Sequence, residues 1–413
     1  MKFTGITRVI AYFLVLFLYA HTADAAGATD TEKELQTAIS ADNATQQERQ
    51  KPISISDAIR DNVPVTAARF IPDLSFILDI GFGWFDHSKH IVQGGHAIDE
   101  NGFKLQGLEM MVSGAVDPYF RYDMNFQFAE LELEEAYLTT VSLPINMQVR
   151  AGLMNSDFGR ENAFHLHSWN FTNPPLTHTR FMAEDHFRGL GAELSFLIPL
   201  PWYMTIAGQM FDTKPNTGYR SSSFGTSEMS ASGGIGSLAD FAYTGKLDNF
   251  FALSENWSLN WGLSGAWGLS PYMRNGRVQL YGTDLFVKWR PISSGRDALA
   301  LGLTVEYMYR STEVPGRYIS DQGAYAQLDM QFTRRWMAGL RGEYTGTISA
   351  DTPEVWKNPA WQTRGSLDLT FMPTHFSKIR LQFDAGRQDD QQFYTAGFLQ
   401  VEVGIGEHMA HKF

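Results

Sequence analysis

No cysteine occurs in the 413 residues. That excludes a disulfide framework, a thiolate metal site and a lipid anchor on an N-terminal cysteine. Beyond the N-terminal leader no stretch approaches eighteen continuous apolar residues, which excludes bilayer-spanning helices. Positive charge is in deficit: 45 Asp and Glu face 33 Lys and Arg, for a formal net charge of -12. This balance argues against a nucleic-acid partner. The motifs G-x-S-x-G and H-E-x-x-H, a phosphate-cradling glycine loop and a Ca²⁺ loop are all missing. Nothing in the spacing of His, Ser and Asp brings them together, so the chain is expected not to be an enzyme and to need no cofactor.

What is present is aromatic. Phe, Tyr and Trp make up 14% of the chain, with 30 Phe, 16 Tyr and 10 Trp. A membrane β-barrel uses rings of this kind, on its lipid face and in a girdle at each interface. Lys2 and Arg8 precede an apolar run from Val9 to Ala20, and Ala23-Asp24-Ala25 fits a small-x-small cleavage site. Residues 1–25 therefore read as a signal peptide, with Ala26 as the new N-terminus. Residues 26–68 are polar and rich in Ala, Gln and Glu, and read as a partly helical periplasmic segment. From 69 to 413 the apolar period changes to two.

That alternation divides into about sixteen strands, from 69–86 to 391–406, most long enough to cross lipid when tilted. Tight connections such as Asp117-Pro118 and Thr333-Arg334 alternate with a set that includes the long segments 87–101, 158–185, 212–240 and 348–359. The chain ends on Phe413, and Leu399, Val401, Val403 and Ile405 put one apolar face on its last strand. The fold class is all-β: a transmembrane antiparallel β-barrel with long extracellular loops, placed in the outer membrane of a Gram-negative bacterium. A β-sandwich or β-helix is the soluble alternative; the first seldom needs Trp and Tyr at both strand ends, and the second would show a short repeat.

Segment 158–185 is too long for a hairpin and too aromatic to float free in water. Folded into the lumen, it would put Arg160, Glu161, His165, His167, His178 and Arg180 at a constriction. The plainer alternative is that Arg160, Glu161 and the aromatics only pack the loop to the wall. Strand charges Arg121, Asp123, Glu134, Arg150, Glu193, Glu306, Arg341, Glu343 and Arg380 are costly in lipid and are expected to face the lumen. His87, His90 and His96 in the first long loop, with His165 and His167, form a weak candidate set for zinc or copper. Scattered surface histidines are the plainer alternative. His408 and His411 sit beside Phe413 and serve the end of the last strand.

Four stretches carry a resemblance: Gly107-Leu108-Glu109 through Val116-Asp117-Pro118-Tyr119, Leu133-Glu134-Glu135-Ala136-Tyr137-Leu138, Arg150-Ala151-Gly152 through Phe158-Gly159-Arg160, and the His165 to Pro175 loop. They resemble Gram-negative barrels of the porin superfamily that includes phosphate-selective porins, and within it a group labelled zinc-regulated outer-membrane proteins. The resemblance implies a sixteen-stranded porin, a homotrimer, and a link to metal supply. The expected role is passive diffusion of small solutes, with metal ions or small metal chelates as candidate cargo. The alternatives are a TonB-independent metal or siderophore receptor and a structural or adhesive surface protein. Expected partners are outer-membrane lipid, the barrel assembly machinery through Phe413, and the solutes; zinc enters as ligand or cargo.

Overall fold

The computed structural model describes residues 72–86, 94–183, 186–291, 299–348, 360–388 and 393–406. The expected signal peptide, the polar segment to residue 68, and His408, His411 and Phe413 lie outside these residues.

Sixteen strands form one closed antiparallel barrel in which each strand pairs with its sequence neighbour and β1 closes on β16. β1 is Asp73–Phe85, β2 Gly102–Ala115, β3 Phe120–Gln127, β4 Glu132–Thr140, β5 Met147–Asn155 and β6 Arg188–Pro199. β7 is Tyr203–Phe211, β8 Ala242–Ala252, β9 Trp257–Leu269, β10 Arg277–Trp289 and β11 Ala300–Val314. β12 is Arg317–Gln331, β13 Trp336–Thr347, β14 Trp361–Thr374, β15 Ser377–Gln388 and β16 Tyr394–Gly406. The seam pairs Leu78 with Val403 and Phe82 with Leu399. Closure leaves no sheet edge, the condition for placing strands in lipid, where an unpaired N–H or C=O has no water to turn to.

The two faces of the wall differ as the alternation requires. On β1, Phe76, Leu78, Ile80, Phe82 and Trp84 point out and are exposed, while Ser75, Ile77, Asp79 and Phe85 are buried inside. Leu399, Val401, Val403 and Ile405 continue that outer band on β16. Aromatic pairs mark both ends of the band. Trp257–Trp289 (6.2 Å between centroids) and Trp336–Phe371 (4.7 Å) lie at the short-turn end. Trp267–Tyr281 (6.1 Å) and Phe82–Phe103 (5.0 Å) lie at the other.

All four long connections leave from the same end, but they do not alternate simply with tight ones. That end also carries the two-residue turn Pro315-Gly316 and the short link 128–131. One register shift lies near the β14–β15 turn, between Phe371 and Thr374, and two more break the period of two: one between Asp79 and Ile80 on the β1–β2 pair, the other between Asn125 and Phe126 on the β3–β4 pair. Each of these last two inserts an extra residue, Gln106 and Glu134, and both side chains are buried inside.

The outer band fixes an expected result. Leu381 lies mid-strand on β15 and is 55% exposed on the outer face. Leu381→Arg should lower the unfolding free energy in lipid vesicles by about 2–4 kcal/mol. A denaturant titration of the vesicle-folded protein measures this, and an unchanged midpoint would mean that the outer face does not meet lipid.

Candidate functional site: a loop folded into the lumen

The chain leaves β5 at Asn155 and returns at Arg188 to begin β6. The neck of this loop is tied by Ser156 N–H donating to Phe187 O (2.8 Å). Asn162 clasps the same neck. Its Nδ2 donates to Ser156 O (2.7 Å) and Phe187 O (3.0 Å), and its Oδ1 accepts from Phe187 N–H (2.9 Å). The loop is thereby turned inward, across the lumen.

Gly159 makes the turn possible. Its φ is +64°, and a Cβ there would stand 2.1 Å from Glu306 Oε1. Gly159 N–H donates to Ser264 Oγ (3.0 Å), Lys246 Nζ donates to Gly159 O (2.7 Å), and Arg160 N–H donates to Glu306 Oε1 (2.9 Å). The Arg160 guanidinium lies 4.0 Å above the Phe286 ring. This first stretch therefore runs along β8–β11.

The middle of the loop crosses to the opposite wall. His165 Nε2 lies 2.8 Å from Glu135 Oε2, and His167 Nδ1 lies 3.1 Å from Glu109 Oε2. The two imidazoles stack nearly parallel, 6.0 Å apart. Further along, Arg380 donates to Trp169 O (2.9 Å), and Asn173 Nδ2 donates to Asp384 Oδ2 (2.7 Å). The short helix α1, Leu176–Phe181, follows and lies against β11–β13.

A buried network of guanidinium and carboxylate groups holds that end. Glu343 Oε1 accepts from Arg341 Nε (2.8 Å) and Arg364 Nε (2.7 Å), while Glu343 Oε2 accepts from Leu176 N–H (2.6 Å). Arg341 also donates to Asn173 O (3.0 Å) and stacks 4.3 Å over Phe171. Asp321 joins Arg310 (2.6 Å) and Arg180 (2.8 Å). On the other side Arg150 pairs with Glu193 and with Asp157 (3.0 Å).

The expected lumen charges Asp123, Glu134, Arg150, Glu193, Glu306, Arg341, Glu343 and Arg380 all face inward, and all but Arg150 are buried. Arg121 is at the rim, half exposed and paired with Asp123. The expected constriction residues are all on the inserted loop, but they do not gather at one point. Arg160 faces β10–β11, Glu161 follows it and feels Asp329 and Arg341 of β12 and β13, His165 and His167 face β2–β4, and Arg180 reaches β12. His178 is buried on α1 against Trp169, with ring centroids 5.8 Å apart.

The histidine expectation needs correction in its placement. His96, His165 and His167 are not on the surface. His96 is 5% exposed, with Nε2 3.5 Å from Glu134 Oε1 and Nδ1 3.5 Å from Glu130 Oε1. His87 and His90 lie outside the described residues. The sequence reading passed over Glu109, Glu135, Asn125, Asn173, Asp321 and Arg364. Glu109 was visible as a mid-strand charge. The side chains of the asparagines carry no charge and gave no such signal.

Oxygen and nitrogen donors converge between the loop and β2–β4. Glu109, Glu134 and His165 each offer one ligand atom, and these lie within 4.8 Å of one another. Asn125 Nδ2 lies 2.9 Å from both Glu134 Oε2 and His165 Nδ1. Burial alone would lower the pKa of His165; Glu134 and Glu135 outweigh it and hold the imidazole well above the usual histidine range. Glu161 shows the opposite balance. Burial pushes its carboxyl above the usual range, and Arg160 and Arg341 recover only part of the shift.

No family model matches the chain. The fold is that of the sixteen-stranded outer-membrane porins. An anion-selective porin from Comamonas acidovorans superimposes with a TM-score of 0.54 at 10% identity, over 81% of this chain and 99% of that one. The outer membrane channel DcaP of Acinetobacter baumannii gives 0.52 at 11% identity, over 82% and 97%. OmpT of Vibrio cholerae gives 0.52 at 8% identity, over 81% and 97%. In sequence the chain is 30% identical over 402 residues to an uncharacterized protein of Aquifex aeolicus (strain VF5), covering 85% of this chain and 81% of that protein. It belongs to the same family as that protein.

Two outcomes follow from the loop's anchors. Glu343→Ala leaves two buried guanidinium groups without their carboxylate, and should cost about 3–5 kcal/mol in a denaturant titration. Glu161→Gln should act in the other direction. A carboxyl whose folded pKa is raised destabilises the fold above that pKa and costs nothing below both values. The variant should therefore be more stable than the parent at pH 8 and equal to it at pH 4. Equal stability at both pH values would mean that Glu161 is not held in a dry site.

Proposed function

We propose that the chain is an outer-membrane channel of porin type for the passive diffusion of small solutes, with loop 156–187 as its constriction. The supporting observation is that loop itself, folded inside the closed wall and tied to inward charges on opposite sides of it. On the short-turn side of the loop Lys246, Asp248, Asn260 and Lys288 are only half buried, on the wall that faces Arg160. Charges of both signs on that wall would set the local field felt by a passing ion. No bond is made or broken in this reading, and no catalytic role is assigned to any residue.

The finer parts of the proposal are these. The protein is exported by a signal peptide ending at Ala25, is inserted through recognition of Phe413, and works as a homotrimer. Metal ions or small metal chelates are its candidate cargo, as the zinc-labelled group suggests. A second reading is a TonB-independent binding receptor. It is favoured by how thoroughly the loop covers the wall: Glu109, Glu134, Arg341, Arg364 and Arg380 are all nearly inaccessible.

Planar-bilayer recording of the purified mature protein separates the two. Stepwise insertion of open conductance in potassium chloride is the expected result. Silent membranes after verified insertion would overturn the channel reading in favour of the receptor.

A further inference from the structure

We propose that Glu109, Glu134 and His165 bind one divalent transition cation of the zinc or cobalt kind, between the inserted loop and the β2–β4 wall. Three donors from three segments meet within 4.8 Å, a spread that a single ion can span after small side-chain rotations. Glu109 comes from β2, Glu134 from the bulge of β4, and His165 from the loop.

The surroundings are arranged as a ligand set requires. His165 Nε2 faces Glu135 Oε2 at 2.8 Å, and Asn125 Nδ2 donates toward His165 Nδ1. With the proton on Nε2, the Nδ1 lone pair accepts from Asn125 Nδ2 and lies 3.5 Å from Glu134 Oε2, and a cation bound there would displace that amide hydrogen bond. A carboxylate behind the ring of a ligating histidine raises its basicity and fixes its orientation. His167 performs the corresponding service for Glu109, at 3.1 Å.

Charge balance points the same way. Several other buried carboxylates of the lumen meet guanidinium or ammonium groups: Glu193 with Arg150, Glu343 with Arg341 and Arg364, Asp321 with Arg310, and Glu402 with Lys378. The ion pairs described for Glu109, Glu134 and Glu135 are all with imidazoles. A divalent cation among these donors would add positive charge where the carboxylates gather. Asn125 Oδ1, in the same cluster, is buried without a hydrogen-bond partner, although Asn125 is 2% exposed. An acceptor oxygen kept dry on a side chain that touches two of the ligand residues is one that a water on a bound cation would satisfy.

The donor chemistry narrows the ion. One imidazole with two carboxylates suits zinc, cobalt or nickel; calcium and magnesium favour oxygen alone, and no sulfur is there for copper(I). Such an ion would join the loop to two strands at once. Its role as a brace for the constriction rests on the channel reading above; the binding itself does not.

Cobalt(II) titration of the detergent-purified protein, followed by visible absorption, tests the site, with zinc(II) titrated by calorimetry beside it. One ion per chain should bind, with a ligand-field band that zinc displaces. Glu134→Gln and His165→Ala should each abolish the band while the barrel keeps its heat-modifiable migration. Glu135→Gln should weaken binding about 10–100-fold, and His375→Ala, on the β14–β15 turn, should change nothing. Absence of one-to-one binding in the parent protein would overturn the proposal, as would a band kept in both ligand variants. Should Glu134→Gln not fold, Glu109→Gln takes its place with the same two outcomes. Bilayer recordings are independent of these readings, so a silent membrane with bound cobalt would refute the channel and not the site.

Discussion

A backbone that crosses lipid has no water to accept its hydrogen bonds, and this single constraint shapes the molecule. Every strand must be paired on both sides, so β1 must find β16 and the sheet must close. Once closed, the wall has only two faces. Lipid claims one of them, so the charged and amide side chains of sixteen strands are driven to the other. The interior becomes crowded with polar groups that need partners of their own, and the inserted loop supplies many of them.

The loop works as a partner for the wall as much as an obstruction. Its main chain is put to use: Gly159, Arg160 and Leu176 donate N–H groups to Ser264, Glu306 and Glu343, and Trp169 and Asn173 offer carbonyls to Arg380 and Arg341. A segment bonded to walls on opposite sides is held by many modest interactions, each net worth about 1 kcal/mol or somewhat more where charged. Its position is therefore a property of the whole wall. The two halves of the anchorage differ in kind. Around α1 the contacts are guanidinium–carboxylate, with fixed charge and forked geometry. Around His165 and His167 they are imidazole–carboxylate.

The period of two made the barrel readable: Leu399, Val401, Val403 and Ile405 were seen as one face, and they form part of the lipid band. Strand count and inward charges followed from the same rule, because lipid punishes a misplaced charge too heavily for exceptions. The rule fails where the chain leaves it. The bulge on β4 adds Glu134 to the inner face beside Glu135, so two consecutive acids point the same way. Counting by twos sees only one of them. The placement of the histidines was hidden for a related reason. A loop carries no alternation, so whether His96, His165 and His167 face solvent or the lumen is decided by closure of the fold, not by spacing.

The bulge at Glu134 also explains why the histidine cluster forms on β2–β4 and nowhere else among the described residues. A regular strand offers an inward side chain every second residue, which separates donors along one strand too far for a shared partner. An extra residue crowds two carboxylates into one such interval, β3 sets Asn125 opposite Glu135, and β2 beyond it adds Glu109, opposite Gln127. Like charges so close repel unless something positive comes between them. The loop brings imidazoles to that place and guanidinium groups are committed elsewhere, to Glu193, Asp321 and Glu343. The loop is thus anchored in two chemically different ways, by guanidinium–carboxylate forks around α1 and by imidazole–carboxylate contacts at the β4 bulge.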